Sequence, residues 1–395
     1  MSVRPIAIPV AASPLHDRPT ERRLLSFDWI LLTSTLLLVA YGVVVGYSTA
    51  MEDRASGADV GEQVLRAILY AVIGLSVMTV VALVDHAWLG TFSPFLYVMT
   101  LVLLAMVLVI GHSTLGATRW VSIAGFRFQP SEFAKVFMVI VLAKWFADHE
   151  ARSVLGLAGA LALIAVPVAL VYRQPDLGTS IVFLGMFFGI ALVAGARPWH
   201  LTALLAAGAA AVPLLYGHLQ AYQQSRLTAF LNPYADPRGA GWNIIQSLIA
   251  VGSGSLTGKG LTAGTQSPLG YLPISQSDFV FAGLAEDLGF VGAMILFVLY
   301  LVLLLSVLRV AHRSRDAFGA YLAGGVAALL GFQIVVNVGM AISLMPVTGV
   351  PLPFISQGGS SLISICLALG ALQSICTHQE VTSAVSSSSA AARGS

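Results

Sequence analysis

The sequence predicts an all-α integral membrane protein of ten transmembrane helices, with one large extracytoplasmic loop between the seventh and the eighth. Three observations lead there. Hydrophobic residues make up 57% of the 395 and charged residues 10%, where a soluble chain carries about 25% charge. Mean hydropathy is +0.87. Apolar runs suited to ~30 Å of hydrocarbon recur along the chain, while the strand alternation of a membrane barrel is missing. Helices and closed barrels are the two architectures that satisfy the backbone inside lipid, so helices remain.

The runs fall near 27–47, 66–84, 92–111, 133–147, 155–172, 180–195, 200–216, 279–308, 318–342 and 361–376. Residues 1–26 read as a cytoplasmic N-terminal segment, 27–377 as the membrane domain and 217–277 as its large outer loop. Residues 378–395, with the low-complexity end "VSSSSAAARGS", read as a disordered tail or an expression scar. No A-x-A-like site follows the first run, so no cleavable signal is expected. Gly42/Gly46 and Gly185/Gly189 have the small-xxx-small spacing of close helix packing.

An even number of spans puts both termini on one side. Arg18, Arg22 and Arg23 precede the first run, and Arg309, Arg313 and Arg315 follow the eighth. The excess of basic residues on cytoplasmic loops makes that side the cytoplasm. The acidic stretch from Glu52 to Glu62 then falls outside. No internal repeat relates the two halves, which disfavours an inverted-repeat transporter.

Some functions are excluded early. A net charge of +2, with scattered basic residues, gives no footprint for nucleic acid. Cys366 and Cys376 lie ten residues apart in one predicted helix, roughly 15 Å by helical rise and too far to bridge. Neither CxxC nor HxxxH is present, so no zinc site is signalled.

The polar residues that interrupt the apolar runs carry the functional signal. "QSDFVFAGLAEDLGFVGAM" places Asp278, Glu286 and Asp287 at the start of the eighth run. An ionised acid in hydrocarbon costs at least ~2.5 kcal/mol, which makes intramembrane acids functional candidates. Asp278 reads either as an N-cap or as a reacting group. "RFQPSEFAKVF" offers Ser131 as N-cap, with Glu132 in the first turn and Lys135 on the same face. In "RQPDLGTS", Asp176 reads as a helix cap or a site residue. "PVTGVPLPFISQGGSSL" is irregular, and the amides around Gly358 and Gly359, with Ser360 and Ser361, suit an anion.

"GSGSLTGKG" is not a P-loop, because Ser253 and Gly260 stand where Gly and Ser/Thr are needed. A turn whose amides and Lys259 hold phosphate stays open. Against the usual bias, Arg54, Arg66, Arg119, Arg127, Arg173, Arg226, Arg238 and Lys259 all fall outside, which suggests an anionic ligand there. Asp278, Glu132, Lys135, Asp176, Arg119 and the glycine turn share that side, so one outward-facing cavity is expected.

The segments "GATRW", "FQPSEFAK", "QPDLGTS", "NPYADPRGAGWNIIQSLIAVGSG", "SDFVFAGLAEDLGFVG" and "PVTGVPLPFISQGGSSL" resemble the shape, elongation, division and sporulation (SEDS) family. They occur in family order from Phe27 to about Thr377, and "GKGLTAGTQS" and "GVPLPF" look closer to the elongation members. The resemblance implies a peptidoglycan glycosyltransferase that polymerises lipid II, and a partner, a class B penicillin-binding protein. It also implies a catalytic Asp at the position of Asp278. Ile274, Gln276 and Ser277 stand where the family usually has Glu and His-Thr; Asp287 stands in its "EELG" and Gln357 in its "YGGSS". No neighbouring Glu or His role is therefore carried over.

The chemistry then suggests roles. Asp278 would be the general base for the acceptor sugar hydroxyl, a contribution of typically 10²–10⁴-fold. Arg119, Lys135 and Arg226, with Arg238 behind them, would meet the leaving pyrophosphate, helped by a divalent cation such as Mg²⁺ or Mn²⁺. Glu132 would hold Lys135, Asp176 would bind sugar hydroxyls and Ser360 an anion, with Trp120 and Glu286 in support. Glu286 and Asp287 are expected to pair with buried cations or polar backbone. The expected location is the bacterial cytoplasmic membrane, with the site facing out. A lipid II flippase and a scaffold for the transpeptidase are the competing readings.

Overall fold

The computed structural model describes residues 27–52, 60–114, 117–123, 126–217, 219–264, 271 and 278–393, with side chains described as far as His378. Residues 1–26 with their arginines, Arg54, and Ile274, Gln276 and Ser277 lie outside the described residues, as does the side chain of Arg127. The helices are α1 (Trp29–Glu52), α2 (Val60–Leu83), α3 (His86–Thr91), α4 (Ser93–Ile110), α5 (Pro130–Asp148), α6 (Val154–Arg173), α7 (Leu177–Val193) and α8 (Pro198–Tyr216). They continue with α9 (Ala221–Leu231), α10 (Trp242–Ser253), α11 (Val280–Arg313), α12 (Ala317–Ala341) and α13 (Gly359–Arg393).

Each apolar run read from the sequence is a helix. Among the described residues, seven helices are long and apolar enough to cross a membrane: α1, α2, α4, α6, α11, α12 and the part of α13 up to His378. Helix α7 and residues Pro198–Leu214 of α8 are apolar but shorter. Helix α5 is different. It carries Glu132, Lys135, Lys144 and Asp148, yet its residues from Pro130 to Ala143 are nearly all buried. Packed among α4, α12 and α13, it meets protein where the outer helices meet lipid. The lipid side is marked by exposed Leu65, Val80, Phe95, Val109, Leu155 and Leu214.

Three features differ from expectation. A small antiparallel sheet, β1 (His112–Thr114), β2 (Ala117–Ile123) and β3 (Phe126–Phe128), joins α4 to α5. Its strands are too short to register in a search for ten-residue membrane strands. The spaced glycines divide: Gly185 and Gly189 of α7 receive Phe332 and Ala328 of α12 as helix packing requires, but Gly42 receives the carbonyl of Phe354 from the irregular segment before α13. Helix α13 also runs on through the expected tail to Arg393. An Ala/Ser run has reasonable helix propensity, and an existing helix supplies the nucleus.

The loop between α8 and α11 is folded, as its apolar patches suggested. Helix α10 buries Ile244, Gln246, Ser247 and Ala250, and Ser247 Oγ donates to the carbonyl of Ala341 at 2.7 Å. This docks the loop on the end of α12, beside the start of α11. No disulfide joins Cys366 to Cys376.

Candidate functional site

The site is built around a glycine. Between α12 and α13 the chain runs without regular structure, and Gly349 adopts φ +72°, a left-handed conformation that suits glycine. A methyl group there would lie 3.0 Å from Arg119 Nη1 and 3.3 Å from Asp278 Oδ2. The missing side chain is what lets the guanidinium from β2 and the carboxylate before α11 face each other. Asn337 of α12 fixes both flanks, donating through Nδ2 to the carbonyls of Asp278 at 3.1 Å and Val350 at 2.8 Å.

Asp278 is not the N-cap of α11. Phe279 takes that position without a side-chain cap, so Asp278 stands one residue outside the helix. It is half-buried. Asp176 does cap its helix: it accepts from the Thr179 amide at 3.1 Å and the Thr179 hydroxyl at 2.9 Å. Its Oδ2 also lies 3.4 Å from Arg119 Nε. The carboxylate that caps the helix is therefore also the one that meets Arg119.

Arg226 arrives from α9. Its Nη1 donates to the carbonyl of Val347 at 3.4 Å, and its guanidinium lies 5.5 Å from the ring centre of Tyr222. The Tyr222 hydroxyl donates to the carbonyl of Pro175, beside Asp176. Burial holds the Arg226 pKa below its ordinary value, and neighbouring Arg119 lowers it further; Asp278, Tyr222 and Asp176 act the other way. Two guanidiniums and two carboxylates thus meet from β2, the approach to α7, α9 and the approach to α11. Trp120 follows Arg119 on β2 and is half-buried.

Of the other expected members, Glu132 holds Lys135 as expected. Glu132 and Lys135 bond each other, Nζ to Oε1 at 2.8 Å, with each side chain 2% exposed. Among the described residues their ion pair joins them to each other and not to the Arg119 group. Helix α5 starts two residues earlier than read, with Gln129 at the N-cap and Pro130 at N1 in place of a Ser131 cap. Proline is pre-shaped for N1 and lacks the amide that would go unpaired there. The Ser360 hydroxyl accepts from the Gln129 amide at 3.0 Å and so ties the start of α13 to that of α5. Arg173 and Arg238 are exposed and take no part in the four-charge set.

Glu286 and Asp287 pair as expected. Glu286 Oε1 meets Lys259 Nζ at 2.5 Å, and Asp287 Oδ2 accepts from Ser48 Oγ at 2.5 Å. The amides of Lys259 and Gly260 donate to the carbonyls of Glu286 and Asp287 at 3.0 and 2.9 Å. With those amides used inside the protein, the glycine turn does not have them for phosphate.

The residues do not fit a resident metal. Asp278 and Asp176 each face a guanidinium, and among the described residues no three His, Cys, Asp or Glu side chains converge. The sequence reading missed Gly349, Asn337 and Tyr222. For Asn337 a signal existed, an amide side chain in the middle of an apolar helix; for Gly349 there was none, because its role depends on what crosses over it.

A family model described as a cell cycle protein, that of FtsW, RodA and SpoVE, matches residues 28–381. The peptidoglycan glycosyltransferase MrdB of Escherichia coli (strain K12) is 40% identical over 374 residues, covering 93% of this chain and 99% of that protein. The crystal structure of the rod shape determining protein RodA of Thermus thermophilus superposes with a TM-score of 0.66 at 30% identity, covering 89% of this chain and 97% of that one. A chain from a peptidoglycan synthase complex, solved in work on how such a complex coordinates polymerization and crosslinking, gives a TM-score of 0.75 at 30% identity, with 90% and 99% covered.

Proposed function

The chain belongs to the FtsW, RodA and SpoVE family of cell cycle proteins, and from that premise we propose that it is a peptidoglycan glycosyltransferase that polymerises lipid II at the four-charge set. It is a multi-pass membrane protein. We read ten spans, with α5, α7 and α8 completing the seven that length and hydropathy identify, and both termini in the cytoplasm. The four-charge set and the loop from 217 to 277 then face outward, where the glycan strand grows.

In the reaction the 4-hydroxyl of the incoming sugar attacks the anomeric carbon of the growing chain. The new glycosidic bond forms as the bond to undecaprenyl pyrophosphate breaks, and an α-linked donor becomes a β-linked product. Asp278 takes the hydroxyl proton. Arg119 and Arg226 receive the negative charge of the departing pyrophosphate, where fixed cations in a partly dry site are most effective. Pyrophosphate oxygens on these guanidiniums also draw positive charge away from the carboxylate, which leaves it a better proton acceptor once donor is bound. Any divalent cation would travel with the pyrophosphate. A class B penicillin-binding protein is the proposed partner, consistent with the complex whose chain superposes on this one.

The observation that carries this reading is the Asp278 carboxylate facing Arg119 across Gly349, with Arg226 beside them. The test is glycan-strand formation from purified lipid II in detergent. Wild type should make strands, and Asp278→Asn should lose about 10²–10⁴-fold in rate at unchanged folded yield. Strands from the Asn variant at the wild-type rate would remove the base assignment, and no strands from wild type would return the chain to a transport or scaffolding role.

A further inference from the structure

The proposed base is carried on a broken helix. Helix α11 is interrupted at Gly289, where φ is +65° and ψ is −163°. The ladder on either side should link the amides of Phe290 and Val291 to the carbonyls of Glu286 and Asp287. Instead the outer-loop turn after α10 is inserted between them. Phe290 and Val291 donate to the carbonyls of Ser255 and Leu256, both at 3.0 Å, and the carbonyls of Glu286 and Asp287 accept from Lys259 and Gly260. The turn replaces the two missing rungs, so the amides of Phe290 and Val291 and the carbonyls of Glu286 and Asp287 all find partners.

The insertion is tight. A methyl on Gly289 would lie 2.2 Å from the Gly258 amide nitrogen, and one on Gly258 would lie 2.1 Å from the Asp287 carbonyl oxygen. Two side-chain contacts lock it. Lys259 Nζ meets Glu286 Oε1 at 2.5 Å, with Glu286 1% and Lys259 27% exposed. Ser48 of α1 donates to Asp287 and accepts from the Thr262 amide at 2.8 Å.

Glu286 and Gly289 stand roughly 12 and 16 Å from Asp278 by helical rise, so the lock acts on the proposed base from a distance. Their effect is directional. The helix's own ladder is cut at Gly289, so the tilt of the segment from Val280 to Leu288 depends on what fills the gap as well as on packing and the Asn337 bond to Asp278. A tilt of about 4° there moves Asp278 by roughly 1 Å, and a misplacement of that size costs on the order of 10²-fold in rate.

We propose that Lys259 is a positioning residue: its ion pair with Glu286 holds the outer-loop turn in the break of α11, and so fixes Asp278 opposite Arg119. This rests on Asp278 being the base. The experiment compares Lys259→Met, Lys259→Arg and Asp278→Asn as full chains in detergent with lipid II. For Lys259→Met, kcat per folded molecule should fall about 10–100-fold while KM stays within about twofold, and the melting temperature should also fall, because buried Glu286 loses its counter-charge. Lys259→Arg, which keeps the charge, should recover most of the rate. An inactive Asp278→Asn together with a wild-type kcat in Lys259→Met would overturn the positioning role alone. A loss in Lys259→Met that follows only the folded fraction would overturn it too. An active Asp278→Asn would overturn the base reading and this inference with it. If Lys259→Met does not fold, Glu286→Gln, which keeps an acceptor for the ammonium, gives the same readout.

Discussion

Two groups of buried charge sit in this protein, and they are assembled in opposite ways. Glu132 and Lys135 are three residues apart on one helix, 2.8 Å from each other and each 2% exposed. Asp278, Arg119, Asp176 and Arg226 come from four distant parts of the chain and meet around Gly349 and the carbonyl of Val347. The first group neutralises itself. The second is spread over four segments, with Arg119 Nε 3.4 Å from Asp176 Oδ2, Asp278 half-buried and Arg226 resting on a carbonyl and an aromatic ring. A paired charge in a sealed place has little left for a substrate, whereas two part-exposed guanidiniums near each other can take an anion. The contrast separates a charge pair local to one helix from a set that only the fold assembles.

The largest effect that would break this contrast is on stability at the sealed pair. Lys135→Met should destabilise by about 3–5 kcal/mol, because it strands the Glu132 carboxylate without a counter-charge in a dry place. Thermal unfolding in detergent measures this, and the double variant Lys135→Met with Glu132→Gln should regain most of the loss. If Lys135→Met instead keeps its melting temperature and loses polymerisation, the two groups act alike and Lys135 returns to the substrate.

Gly349→Ala probes the distributed group. The new methyl would press on Arg119 Nη1 at 3.0 Å and on Asp278 Oδ2 at 3.3 Å, in a backbone conformation that alanine adopts with strain. Separating the guanidinium from the carboxylate should lower kcat about 10–100-fold. The backbone strain should cost about 1–3 kcal/mol. A fall in melting temperature with kcat intact would mean that the closeness of Arg119 and Asp278 matters to the fold and not to turnover.

The sequence was informative where the physics is local. Ten apolar runs became helices because hydrocarbon length and hydropathy act over twenty consecutive residues. The Asp176 cap and the pairing of Glu286 and Asp287 with polar neighbours were legible for the same reason. The four-charge set was legible only as a shared side of the membrane. That reasoning included Lys135, which bonds Glu132 as expected, and it passed over Gly349 and Tyr222. Which residues meet depends on how irregular segments cross, and no period in the sequence encodes a crossing. The short sheet that carries Arg119 was missed because three- and seven-residue strands fall below any membrane-strand pattern.

The smallest expected effect refines the picture of Arg226. Tyr222→Phe keeps the ring under the guanidinium but removes the hydroxyl that donates to the Pro175 carbonyl. A neutral hydrogen bond of this kind is worth about 0.5–1.5 kcal/mol. It links α9 to the approach of α7, where Asp176 sits, so its loss should loosen the placement of Arg226 without changing its charge. KM for lipid II should rise about two- to fivefold with kcat nearly unchanged, because an anchoring contact to the pyrophosphate is present in the ground state as well as in the transition state. A fall in kcat at constant KM would mean that Arg226 meets the pyrophosphate only as it departs, which would move this residue from binding to catalysis and narrow the site to Asp278 and the two arginines.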